Sequence, residues 1–214
     1  MPDKYEIINR HKTVLEKAPS GIPGFDEITG GGLPRGRSTL VCGDAGAGKT
    51  MFGMQFLVRG ATEGEDPGVF VAFEETEEDL KANVASLGWD LDTLSEQKRV
   101  VLESVSVSSE EMTESGSYDL EGLFIRLDAA ISQIGAGRIV LDTIETLFGA
   151  FTDPHLVRAE FRRLLKWLKE RGVTAVVTAE RGEEGLTRFG IEEYVSDCVI
   201  DLSQTIRGQT TRRH

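Results

Sequence analysis

Residues 43–50 read Gly-Asp-Ala-Gly-Ala-Gly-Lys-Thr, a G-x-x-x-x-G-K-T phosphate loop. Each position has a chemical task. Gly43, Gly46 and Gly48 let backbone N–H groups turn inward around phosphate oxygens. Lys49 can reach the β- and γ-phosphates of a nucleotide, and the Thr50 hydroxyl can ligate Mg²⁺. Two acidic positions suit the same chemistry. Asp142 closes the apolar run Arg138-Ile-Val-Leu-Asp142, a Walker B pattern, where it can hold Mg²⁺ opposite Thr50. Glu74 and Glu75 follow Val69–Phe73. A carboxylate there can orient a water in line with the γ-phosphate and accept its proton. Glu74 is the first choice for that task and Glu75 the second. Helix capping competes for this stretch, because Thr76-Glu77-Glu78-Asp79 fits a capping box. Capping accounts for Glu77, Glu78 and Asp79 better than for the pair at the strand end.

These residues work only if strands and helices bring them together. Ser38–Cys42 is a β-prone run before the loop, and Met51, Phe52, Met54, Phe56 and Leu57 carry helical spacing after it. Strand, glycine loop and helix is the context a phosphate loop needs, and a glycine-rich turn with an incidental lysine lacks it. Further strands are expected at Val69–Phe73, Val100–Leu102, Ile139–Leu141, Val173–Thr178 and Val199–Leu202. Leu120, Leu123, Phe124, Leu127, Ile131 and Ile134 follow i, i+3, i+4, i+7 spacing, as do Phe161, Leu164, Leu165 and Leu168 up to Gly172. Strands alternating with helices imply an α/β domain with a mainly parallel central sheet flanked by helices. Ligands of such a sheet sit beyond the carboxyl ends of its strands, where Glu74, Asp142 and the loop all fall. Glu180 and Arg181 share that edge, as a γ-phosphate sensor, a subunit contact or a surface ion pair. Asp197 and Asp201 flank the last strand and read as turn residues. Residues 1–20 read as a loose arm or short helix, and 21–214 as the domain.

The 214 residues suffice for one sizeable α/β domain. The net charge of −12 repels nucleic acid. Arg158, Arg162, Arg163, Lys166, Lys169 and Arg171 cluster on one expected helix, which reads as a solvated or subunit-contact face. No apolar run is long enough to span a membrane, and no leader pattern opens the chain. Cys42 and Cys198 each lie in an expected buried strand as core thiols, which points to the cytoplasm.

Several stretches together resemble the KaiC family of RecA-like circadian clock ATPases. They are Gly-Ile-Pro-Gly-Phe-Asp-Glu-Ile, Gly-Gly-Gly-Leu-Pro-Arg-Gly-Arg-Ser, the phosphate loop, Gly-Val-Phe-Val-Ala-Phe-Glu-Glu-Thr, Ser86-Leu-Gly-Trp-Asp-Leu and Glu-Glu-Tyr-Val-Ser-Asp. The resemblance runs from about Gly21 to Leu202 and favours the N-terminal of the family's two tandem domains. It implies a RecA-like P-loop fold, slow ATP hydrolysis with Mg²⁺, a hexameric ring and a KaiB-like partner. By the same resemblance, Glu74 matches the catalytic glutamate and Glu75 its partner. Gly46, Ala47, Gly48, Lys49, Thr50 and Met51 match the nucleotide loop, and Ser86 matches a nucleotide contact. The family's self-phosphorylated Ser-Thr pair falls on Glu193 and Tyr194, so self-phosphorylation at that place is not expected. The family continues into a Lys-x-Arg-Gly strand that reaches a neighbour's site. Thr211–His214 stops short of it, which reads as an excised or truncated first domain with a weakened ring. Two other functions fit a phosphate loop: a RecA- or RadA-type DNA-dependent ATPase, and a non-hydrolysing assembly module.

Overall fold

In the computed structural model, residues 15–105, 120–149, 153–182, 187, 196–207 and 210–213 are described. Lys17–Ala18 (β1) pairs antiparallel with Leu33–Pro34 (β2), around the short helix α1 (Phe25–Ile28). Of the stretch expected as a loose arm or short helix, residues 17–18 are thus paired strand, and Ala18 and Ser20 are fully buried. Residues 1–14 lie outside the described residues.

The expected strands form one six-stranded sheet. Its members are β3 (Ser38–Gly43), β4 (Gly68–Ala72), β5 (Val100–Ser104), β6 (Arg138–Asp142), β7 (Thr174–Glu180) and β8 (Cys198–Leu202). They stand in the order β5-β4-β6-β7-β3-β8, and every neighbouring pair is parallel. The four inner strands are buried along almost their whole length, which is why they read as continuous apolar runs. The edge strand β8 exposes alternate residues, Val199 and Asp201 among them. Two expectations need correction here. Asp201 lies inside β8 rather than in a turn, and Cys198 is only half-buried, because an edge strand has one open side.

Successive side chains of a strand point to opposite faces. Val69, Val71, Ile139, Leu141 and Val177 therefore pack into one core, with α5 (Glu121–Ile134), α6 (Ile144–Phe148) and α7 (Pro154–Glu170). Phe70, Val140 and Val176 pack into the other, with α2 (Lys49–Glu63), α3 (Glu77–Ala85) and α4 (Leu91–Glu96). The helix ends follow local chemistry. Asp153 caps α7 by accepting the His155 N–H at 2.8 Å, and α5 stops at Gly135, whose φ of 63° suits glycine. Gln204–Arg207 (β9) and Thr210–Arg213 (β10) close the described chain as an antiparallel hairpin. No described helix is long and apolar enough to cross a membrane.

Four of the basic residues at and beside α7 form ion pairs. Arg163 meets Glu121 and Glu160, Lys166 meets Glu170, Lys169 meets Asp197, and Arg171 meets Asp128. Asp197 also takes Arg37 at 2.9 Å. Arg158 and Arg162 are exposed on the same helix.

Candidate active site

The loop between β3 and α2 needs two tight backbone positions. Gly46 and Gly48 hold φ of 76° and 100°, values that side chains disfavour. Gly48 starts α2 with no side-chain cap, so the first N–H groups of that helix remain available to an anion. Lys49 is only 7% exposed. Its Nζ donates to the loop's own carbonyls, Gly43 O at 2.9 Å and Asp44 O at 3.1 Å. An uncapped helix start beside a buried ammonium is a good fit for phosphate. Met51 is half-buried in the first turn of α2, packed on the core.

The strand order brings Asp142 to this loop. β7 separates β6 from β3, and Asp142 is the last residue of β6. Thr50 Oγ1 donates to Asp142 Oδ2 at 2.8 Å, and Thr178 of β7 donates to Oδ1. Asp142 is 6% exposed. Burial pushes its carboxyl above the ordinary range, against the two threonine bonds and the Lys49 charge. Hydroxyl and carboxylate oxygens side by side match Mg²⁺, which takes one or two carboxylates and completes its shell with water and phosphate. Among the described residues no cluster of three acidic, His or Cys ligands exists. The Asp142–Thr143 peptide is cis.

A raised carboxylate carries a definite sign for stability. The unfolded chain ionises first, so native stability falls as pH climbs from the ordinary carboxylate value through the raised one. Asp142→Asn removes that cost. At pH 7 it is expected to raise the melting temperature of the nucleotide-free chain, by about 2–4 °C for each kcal/mol relieved. A melting temperature at or below that of the parent chain would contradict this.

Glu74 and Glu75 stand on the next strand over. Ala72 is in register with Asp142, and the Phe73 N–H donates to the Asp142 carbonyl at 2.8 Å. Beyond that point the two glutamates part. Glu74 is exposed and accepts at Oε1 from Thr146 of α6. Glu75 is half-buried and accepts from Asn83 of α3 at 3.3 Å, while its carbonyl accepts from Ser104 at 3.3 Å. Burial, then the Asp142 charge, raises the Glu75 carboxyl. The acidic residues that follow do cap a helix: Thr76 Oγ1 accepts the Asp79 N–H at 3.2 Å at the start of α3.

Glu180 is the last residue of β7, and its N–H donates to Glu145 Oε1 at 2.7 Å. The Arg181 N–H donates to Gly43 O at 3.1 Å, and its guanidinium pairs with Asp44 and Asp201. Arg181 thus braces the phosphate loop to β8 as an ion pair. Ser86 is exposed at the C-terminal cap of α3, outside the hydrogen-bonded network of the loop. A cavity of about 500 Å³ between α3 and α4, lined by Lys81, Ala85, Trp89 and Asp92, contains none of the loop residues. Glu193 and Tyr194 lie outside the described residues.

Three residues around the candidate site escaped the sequence reading: Glu145, Thr146 and Thr178. Thr178 had a signal. It is a polar residue in a buried strand, and such residues need partners.

A family model for the KaiC ATPase matches residues 18–214. A circadian clock protein KaiC2 of Synechocystis sp. is 57% identical over 205 residues, covering 95% of this chain and 36% of the relative. A circadian clock oscillator protein KaiC of Parasynechococcus marenigrum is 42% identical over 201 residues, 93% of this chain and 39% of the relative. One from Prochlorococcus marinus subsp. pastoris is 40% identical, covering 100% and 42%. The chain therefore spans well under half the length of these relatives.

Proposed function

The chain belongs to the KaiC family of ATPase domains, and from that premise we propose that it binds Mg-ATP at residues 43–51 and hydrolyses it. The observation that carries this reading is the Thr50–Asp142 hydrogen bond at 2.8 Å, beside the phosphate loop and one strand from Glu74. Lys49 exchanges the loop carbonyls for β- and γ-phosphate oxygens. Thr50 and Asp142 hold Mg²⁺, which offsets the phosphate charge when bound. Glu74 orients the attacking water and takes its proton, with Glu75 beside it. Hydrolysis of this kind depends on positioning and charge neutralisation more than on covalent chemistry. Ser86 contacts the nucleotide.

By likeness to the KaiC relatives, the chain from β1 onward acts as a RecA-like ATPase domain in a cytoplasmic hexameric ring. A KaiB-like protein is the partner, and the role is clock or clock-like. With Glu193 and Tyr194 at the family's phosphoacceptor positions, the serine–threonine self-phosphorylation of the family is lost there, because neither residue carries an aliphatic hydroxyl.

Phosphate release from Mg-ATP, with and without DNA, tests this against the alternatives, alongside native mass with and without ATP. The expected result is Mg²⁺-dependent release, indifferent to DNA, and a larger mass with ATP. DNA stimulation with a steep salt dependence would instead mark a RecA- or RadA-type enzyme. Growth in mass without phosphate release would mark an assembly module.

A further inference from the structure

The short helix α6 leaves β6 just past Asp142, and two adjacent side chains in its first turn reach to different strands. Glu145, 6% exposed, accepts the N–H of Glu180 at the end of β7. Thr146, half-buried, donates its hydroxyl to Glu74 Oε1 beyond the end of β4. β4 and β7 are the two neighbours of β6 in the sheet. The helix that follows the Asp142 strand thus ties together the ends of both strands beside it.

We propose that Thr146 is a positioning residue for Glu74, and that Glu145 holds α6 in the place from which Thr146 acts. The proposal rests on the reading of Glu74 as the group that orients the water. A glutamate on an exposed strand end samples many rotamers. A hydroxyl donated to one carboxylate oxygen fixes the group in one orientation. It engages Oε1 and leaves the second oxygen to the water. The anchor is well placed for precision: α6 buries Ile144, Leu147 and Phe148 in the core. Reacting groups displaced by about 1 Å lose around a hundredfold in rate, so a loosened Glu74 costs turnover without costing affinity.

The test is a double-mutant cycle on the 214-residue chain. Thr146→Val keeps shape and removes the hydroxyl. Its kcat is expected to fall about 10- to 100-fold, with KM and the Kd of a fluorescent ATP analogue unchanged. Thr146→Ser restores most of the loss. In a Glu74→Gln background, Thr146→Val costs nothing further, because the residue acts through Glu74. Circular dichroism checks folding, and Thr146→Ala is the second variant should valine not be accommodated. Parent-like kcat in Thr146→Val and Thr146→Ala, or the same loss with Glu74→Gln already present, overturns the proposal alone. Parent-like turnover of Glu74→Gln itself overturns the water-orienting reading, and this proposal with it.

Discussion

Glutamine at both Glu74 and Glu75 lowers ATP turnover by about 10²–10⁴-fold and leaves ATP binding intact. The substitution preserves shape and removes two negative charges at the end of β4. On the proposed reading, phosphate binding rests on Lys49, Thr50 and the backbone N–H groups at the start of α2, none of which the change touches. Losing negative charge near the phosphates removes repulsion, so affinity holds or improves. The single variants separate the pair. Glu74→Gln costs more than Glu75→Gln, since Glu75 is half-buried and committed to Asn83 at 3.3 Å. Phosphate-release rates and calorimetric ATP affinity give both readings. Turnover of the double variant close to that of the parent chain would remove these residues from the chemistry.

The largest effect on stability is expected at Arg138, at the opposite end of the strand that carries Asp142. Arg138 is 1% exposed. Its guanidinium donates to Asp66 Oδ2 at 3.0 Å, to Pro19 O at 2.8 Å and to Phe56 O at 2.7 Å, and it lies 4.4 Å from the Phe56 ring centroid. One side chain therefore joins the segment before α1, helix α2 and the turn into β4. Burial pushes its pKa down and Asp66 opposes that shift. The fold makes room for it with small residues: a Cβ on Gly60 would come within 2.4 Å of the guanidinium, and one on Gly137 within 2.0 Å of Asp66 Oδ1. Arg138→Ala leaves two backbone carbonyls without their donor and takes the buried partner from a poorly exposed carboxylate, so it is expected to cost about 3–5 kcal/mol. Thermal melting reads this as a fall of about 2–4 °C per kcal/mol for a chain of this size. Asp66 keeps Arg35 as a second partner at 3.2 Å, which limits its own loss. A melting temperature within a degree or two of the parent value would show that the buried pair is not a keystone.

Much of the site was legible before any strand was placed. The loop and its flanking strand and helix lie within one contiguous stretch, where local geometry decides the outcome. Asp142 and Glu74 were found because each follows an apolar run, and a parallel sheet gathers such positions on one edge. The threonines were not. Thr50 meets Asp142 across 92 residues, Thr178 meets it across 36, and Thr146 meets Glu74 across 72. The assignment of Asp201 to a turn failed for a related reason: alternation on a half-covered edge strand looks like the end of an element.

Periodicity in the chain determined which residues form strands and helices and which faces are buried, and the glycine-lysine motif at 43–50 marked the candidate phosphate loop. Strand order belongs to the tertiary structure. Repeats of two and 3.6 residues report which face of an element is apolar, and say nothing of which strand lies beside it. The insertion of β6 and β7 between β4 and β3 set Asp142 against Thr50 and Thr178, and it placed α6 where Thr146 reaches Glu74.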